Sequence, residues 1–361
     1  MSTDHARLIQ TVEAGQVVPR EAGFRMPAEW APHERCLMAW PSSARTNLWG
    51  DFYHHAEASW AAVARAIAAF EPVAMVARPA DAGAARSYCG SDIEVLELPI
   101  DDSFLRDSGP IFLVGPAGEL AAADFRFNSW GERYLPYDLD ATIGERLCEH
   151  FGVRRFPAPL VLEGGSITVD GEGTLITTES CLLHPSRNPD LTKEQIERHL
   201  MDYLGATKVI WLKAGLGIDE DPDTDGHVDG VAFFAGPGRV VLHMVRDTRH
   251  PDFENFRENR RRLETTDARG RELEVIEFDA RSQPVLLGGV SVVETYINGY
   301  FANGALVAPT SGTGDDERAL ERLRAIVPDR EVVGVPCPVI AYGGGGVHCI
   351  TQQVPMVAQT T

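Results

Sequence analysis

The sequence has no closely spaced pair of cysteines. Its six, Cys36, Cys89, Cys148, Cys181, Cys337 and Cys349, are scattered without any CxxC spacing. That excludes a stapled disulfide framework and a cysteine-based structural zinc site. Positive charge is also scarce: 33 Lys and Arg stand against 53 Asp and Glu, a formal net charge of -20. Phosphate backbones and anionic lipids need clusters of Lys and Arg, so no nucleic acid and no membrane is expected as a partner. Cationic ligands gain instead from steering. Long apolar runs are missing as well. The longest stretch, Trp60 to Val76, is broken by Arg65, Glu71 and Pro72 and reads as an amphipathic helix running into a strand. Met1 to Phe24 carries no apolar segment, so no signal peptide is expected, and a reducing, cytoplasmic setting follows.

What the chain does hold is a repeated grammar of helix, strand, polar loop and strand. Helices are expected at Ala56–Phe70, Thr142–Phe151, Thr192 to Leu204, Phe253–Leu263 and Asp316–Ile326. Thr192-Lys193-Glu194-Gln195 has the form of a capping box. Strands follow at Val73–Ala77, Pro159–Leu162, Lys208–Leu212, Glu272–Phe278 and Glu331–Val335. Five copies at a period of roughly 50–70 residues point to radial repetition of small mixed α/β units, with a doubly wound sheet as the alternative. No linker or low-complexity tract divides the chain, so 1–22 reads as an N-terminal extension and 23–361 as one domain.

The polar residues gather in the loops after the strands, and in a radial array those loops meet. One loop is Asp101-Asp102-Ser103-Phe104-Leu105-Arg106-Asp107-Ser108-Gly109-Pro110. A second is Glu163-Gly164-Gly165, whose carboxylate sits between apolar strands and needs a partner. A third ends Asp225-Gly226-His227-Val228-Asp229, with His227 and Asp229 on one face of an extended segment. The last is Gly343-Gly344-Gly345-Gly346-Val347-His348-Cys349. Four glycines make neither a good helix nor a good strand, so the backbone there passes close to something and presents the thiol that follows. His348 reads as an orienting residue, and the other five cysteines as packed.

Cofactor motifs fail one by one. A calcium loop opening at Asp221 would need a bidentate Glu where Ala232 stands. Zinc at His227 and Asp229 lacks a second His at helical spacing. No Lys-Ser or Lys-Thr follows the glycine run, and the dinucleotide pattern is broken at His348 and Cys349. No metal and no cofactor is therefore expected. Cys349, His227 and the carboxylates Asp107, Glu163 and Asp229 suit a planar cation, because carboxylates grip a guanidinium in bidentate pairs. They would repel the anionic intermediate of peptide hydrolysis.

These segments, together with Met26-Pro27-Ala28-Glu29-Trp30, Phe127-Asn128-Ser129-Trp130-Gly131 and His348-Cys349-Ile350-Thr351-Gln352-Gln353, resemble the agmatine deiminase family. That family is a branch of the guanidino-group-modifying (pentein) superfamily related to bacterial-type peptidyl-arginine deiminases. The resemblance implies a five-bladed α/β propeller of ββαβ-type repeats and a catalytic role for the domain at 23–361. It implies Cys349 as nucleophile, His227 as general acid/base, Asp107 and Asp229 on the guanidinium nitrogens, and Glu163 beside His227. Phe104, Arg106, Trp130 and Gly346 are expected along the substrate. The family usually has Trp at Phe104, Asn at Gly346 and Phe at Gly299. The implied reaction is deimination of a small cationic guanidine, agmatine foremost, with a homodimer as the expected assembly. Another guanidine substrate, amidino transfer to an amine, or guanidine binding without turnover are the alternatives.

Overall fold

The computed structural model describes residues 17–217, 224–281, 285–292 and 295–357. The acidic stretch Asp219, Glu220, Asp221 and Asp223, expected as a loop that could cover the site, lies outside them, as does most of the N-terminal extension. From Val17 onward the chain is already engaged: Val18 and Ala22 pack on a core formed by Phe24, Met26 and Leu204.

The fold is α/β and built from several small sheets. Five of the six described sheets repeat one pattern. A first strand pairs antiparallel with a second, which pairs parallel with a third reached through a helix. Ile111–Val114, Leu120–Arg126 and Arg154–Val161 form one such sheet. Ile167–Val169, Thr174–Thr178 and Lys208–Leu212 form the next. Ala232–Gly236, Arg239–Met244 and Glu274–Asp279 form another. Tyr300–Ala302, Ala305–Thr310 and Glu331–Pro336 follow. The last sheet joins the two ends of the chain. Thr351–Pro355 lies antiparallel to His33–Ala39, which runs parallel to Val73–Ala77, with Glu94–Glu97 beyond. The sixth is a hairpin, Val285–Leu287 with Val290–Val292.

Parallel neighbours need a long crossover, and an amphipathic helix is the usual one. The crossovers contain Tyr53–Ala68, Ile143–Phe151, Lys193–Leu204, Phe253–Arg262 and Asp316–Ile326, each within a few residues of expectation. Lys193–Leu204 starts at the expected capping box, with Thr192 and Gln195 side chains each bonding the other's backbone, and ends on left-handed Gly205.

One expectation needs correction. Each sequence copy straddles two sheets, because the strand after each polar loop opens the next sheet. The second strands, Leu120–Arg126, Thr174–Thr178 and Arg239–Met244, and the first strand His33–Ala39 have no counterpart in the sequence reading. The polar loops are therefore the crossings from sheet to sheet.

The largest apolar cluster holds Trp40, Trp49, Trp60, Phe104, Trp130 and Tyr300. Burying one large apolar side chain contributes roughly 1.5–3 kcal/mol, so this cluster anchors the loops that touch it. Among the described residues no helix is long and apolar enough to cross a membrane.

Candidate active site

Four crossings carry the expected site residues: residues 98–110 hold Asp107, 162–166 hold Glu163, 213–231 hold His227 and Asp229, and 337–350 hold Cys349. The fifth, 280–299, brings Asn298, which the sequence reading did not select. All five side chains from the expected catalytic set are buried.

Cys349 sits in a 3-10 turn, His348–Ile350, just ahead of strand Thr351–Pro355. The turn is pinned by the Thr351 hydroxyl, which donates to the carbonyls of Val347 and His348, both at 3.0 Å. In a turn, unlike a strand, neighbouring side chains need not point apart. Cys349 Sγ lies 3.2 Å from Asp229 Oδ2, and the same oxygen is 3.0 Å from His348 Nδ1. The other His348 nitrogen, Nε2, is 3.0 Å from Glu29 Oε1. His348 thus orients Asp229, and Glu29 orients His348. The Asn298 amide Nδ2 stands 3.4 Å from the sulfur.

Burial, then the Asp229 and Asp107 charges, push the Cys349 thiol well above its ordinary range. Asp229 is held below the usual carboxylate range: burial pulls upward, but the His348 hydrogen bond and charge outweigh it.

The second half of the site centres on Gly165. A Cβ there would lie 2.6 Å from His227 Nδ1 and 2.9 Å from both Asp107 Oδ1 and Asp229 Oδ2. Only glycine lets imidazole and two carboxylates meet at that point, and its own N–H donates to Asp107 Oδ1 at 3.0 Å. His227 Nδ1 is 3.8 Å from Asp107 Oδ1, and Nε2 is 3.8 Å from Glu163 Oε2. Those are ion-pair separations, and neither ring nitrogen has a hydrogen-bond partner among the described residues. Burial lowers the basicity of His227, but Asp107 first, then contacts with Cys181 and Glu163, raise it well above an ordinary histidine. Asp107 itself is raised, by burial above all.

Two side chains support these carboxylates: Arg187, which the sequence reading did not select, and Trp130, which it placed along the substrate. Arg187 Nε donates to Glu163 Oε1 at 2.6 Å and Nη1 to Asp225 Oδ2 at 2.8 Å, with the Arg187 and Glu163 side chains wholly buried. This pair keeps Glu163 ionised: burial raises its carboxyl, but the Arg187 charge dominates. Trp130 Nε1 donates to Asp107 Oδ2 at 3.0 Å. Its backbone is left-handed, φ 53°, as are Ser129 and Glu132. Three such non-glycine residues in one turn store strain that a functional site commonly explains. Asn128 holds the turn, accepting from Gly131 N–H at 3.0 Å and donating to the Ser186 carbonyl at 2.8 Å.

A cavity of about 80 Å³ reaches Cys349 and Asp107 and is walled by Trp49, Phe104, Trp130 and Tyr342. Phe104 and Trp130 both line it. His227 and Asp229 do not line it and stand one contact behind, at Asp107 and Cys349, with Glu163 behind His227. Arg106 departs from expectation. It is buried, its Nε donates to the His348 carbonyl at 3.3 Å, and it braces the Cys349 turn instead of lining the cavity. Gly346 does not line it either: a Cβ there would run into Asn298 Oδ1 at 2.3 Å. Cys181, expected as a packed residue, lies 4.0 Å from Glu163 Oε2.

A family model described as Porphyromonas-type peptidyl-arginine deiminase matches residues 25–355. A Legionella pneumophila protein provisionally named an agmatine deiminase is 42% identical over 341 residues, covering 93% of this chain and 96% of its own. A Streptomyces coelicolor protein with the same provisional name is 44% identical, covering 92% and 99%. The solved agmatine deiminase of Enterococcus faecalis superposes with a TM-score of 0.90 at 35% identity, covering 94% of this chain and 98% of its own. The chain belongs to the agmatine deiminase family, within the reach of the Porphyromonas-type peptidyl-arginine deiminase model.

Proposed function

We propose that this protein hydrolyses the guanidino group of agmatine to N-carbamoylputrescine and ammonia through a covalent adduct on Cys349. The meeting of imidazole and two carboxylates at Gly165, with the Cys349 sulfur 3.2 Å from one of those carboxylate oxygens, carries this reading. Family membership supports the reaction class, and the substrate names of the relatives support agmatine.

In the free site Cys349 keeps its proton and two carboxylates disfavour the thiolate. A bound guanidinium reverses that balance, because its charge neutralises Asp107 and Asp229. The Cys349 proton then passes to solvent, and the thiolate attacks the guanidinium carbon. His227, protonated beside Asp107 and Glu163, gives its proton to the departing nitrogen, and the C–N bond breaks to release ammonia. The resulting S-amidino adduct is attacked by water, with neutral His227 taking the proton. The C–S bond breaks, the remaining hydroxyl proton of the adduct passes to the departing sulfur, and the ureido product leaves with the thiol restored. Glu163 holds His227, and Asp107 and Asp229 hold the nitrogens.

The five sheets of one pattern, with first and last strands sharing a sheet, fit a five-bladed α/β propeller whose crossings meet on one axis. Six free thiols suit a reducing, cytoplasmic setting. The cavity walls include Asp102, Asp107 and five aromatic residues but no Arg or Lys among the described residues. That favours a decarboxylated guanidine over arginine, whose α-carboxylate would find no cation. A steady-state panel of agmatine, arginine and other alkylguanidines, with an acceptor amine added in parallel, tests this. Agmatine should exceed arginine in kcat/KM by at least about 100-fold, a difference of ~3 kcal/mol. Comparable values, or transfer to the amine, would overturn it.

A further inference from the structure

Cys181 is the buried nucleophile that the reaction leaves unused. It belongs to the short helix Glu179–Leu182, wholly buried behind the Glu163 and His227 side chains. Its Sγ, one Glu163 carboxylate oxygen and a His227 nitrogen all lie within 4.8 Å of one another. The two oxygens of Glu163 are divided between different tasks. Oε1 is occupied by Arg187 at 2.6 Å. Oε2 faces Cys181 at 4.0 Å and His227 Nε2 at 3.8 Å. His227 Nε2 is buried without a hydrogen-bond partner among the described residues and is aimed into this gap.

A tetrahedral zinc ion has Zn–S near ~2.3 Å and Zn–N or Zn–O near ~2.0–2.2 Å. Ligand atoms around it are then about 3.3–3.7 Å apart, so Glu163 Oε2 needs to close on Cys181 Sγ and on His227 Nε2 by only a few tenths of an ångström. Thiolate, carboxylate and imidazole are the donor set that zinc and cadmium prefer. The surrounding charge is favourable too, with Asp107 3.8 Å from the other His227 nitrogen. This set shares His227 with the fragment His227-Asp229 weighed in the sequence, but its other two ligands, Glu163 and Cys181, come from different loops.

We propose that Glu163 Oε2, Cys181 Sγ and His227 Nε2 form an inhibitory site for a thiophilic divalent cation, which locks the acid/base histidine. On binding, the Cys181 thiol proton and the His227 Nε2 proton pass to solvent, and metal–sulfur, metal–oxygen and metal–nitrogen bonds form. The lone pair of His227 Nε2 is then unavailable for proton transfer. The inhibition rests on the proposed role of His227, but the metal site itself does not.

The test uses Cd2+, whose thiolate charge-transfer band in the ultraviolet reports Cys coordination without any turnover. Full-length Cys349→Ala protein, which lacks the nucleophilic thiol, should titrate to one saturating Cd2+ per chain with that band. Adding Cys181→Ser should abolish the band while leaving the circular-dichroism melt cooperative. Glu163→Gln on the Cys349→Ala background is the second variant and should weaken Cd2+ binding by about 10-fold or more. In wild-type protein Zn2+ should inhibit deimination, with its apparent inhibition constant raised at least about 10-fold by Cys181→Ser. A band that persists in the Cys181→Ser, Cys349→Ala protein, or no saturable band at all, would overturn the site. Loss of the band in Cys349→Ala alone would place the ion on the nucleophile and equally overturn it. Cd2+ binding as proposed without inhibition would keep the site and count instead against His227 as the acid/base.

Discussion

The Asn298 amide fills the space beside Cys349 that a side chain at position 346 would occupy. Nδ2 stands 3.4 Å from Sγ, Oδ1 accepts the His348 backbone N–H at 3.1 Å, and a Cβ on Gly346 would meet that oxygen at 2.3 Å. Gly346 thus makes room for an amide that touches the nucleophile.

A hydrogen bond to a charged group contributes about 1.5–3 kcal/mol. Asn298→Ala should therefore lower kcat/KM for agmatine by about 10- to 100-fold, with the melting temperature little changed. Steady-state kinetics beside a thermal melt check this. Unaltered kcat/KM would remove Asn298 from the thiolate's support.

Gly165 should be the least replaceable glycine of the site. The methyl of Gly165→Ala would press on His227, Asp107 and Asp229 together, all closer than 3.0 Å. Activity should fall by at least about 100-fold, since a displacement of this size near the reacting groups costs that much. A guanidine-binding titration should weaken in parallel. Full activity in Gly165→Ala would mean the three groups do not meet during turnover.

Legibility in the sequence followed physical range. Val73–Ala77, Lys208–Leu212 and Asp316–Ile326 were bounded correctly from local apolar pattern and breakers alone. His33–Ala39 was missed because its partners, Thr351–Pro355 and Val73–Ala77, are remote in sequence or beyond a helix. Leu120–Arg126 carries three successive alanines, which give no strand signal. Cys349, His227, Asp107, Glu163 and Asp229 could be selected because each sits in a loop of unusual composition. Arg187, Cys181, Asn298 and Glu29 act through partners in other sheets, and nothing local announces that.

Asp140 gives a pH-dependent stability. Its Oδ1 accepts the backbone N–H groups of Asp101 and Asp102 at 2.8 and 3.2 Å, holding the loop that carries Asp107. Burial first, then the Asp102 charge, push its carboxyl up to about 8. A carboxyl raised on folding takes up a proton as the chain folds, so stability falls as pH rises from about 4, its unfolded value, through about 8. Asp140→Asn keeps the Oδ1 acceptor and removes the titration. Its melting temperature should drop less than wild type between pH 5 and 8.5. Parallel slopes over that range would contradict the protonated state.

The most direct measurement is mass spectrometry of protein acid-quenched during turnover of agmatine, run beside Cys349→Ala. The wild-type peptide containing Cys349 should gain agmatine less ammonia, and Cys349→Ala should show neither that adduct nor N-carbamoylputrescine. Product formed by Cys349→Ala at a rate near wild type, or an adduct carried by a different side chain, would contradict catalysis by this sulfur.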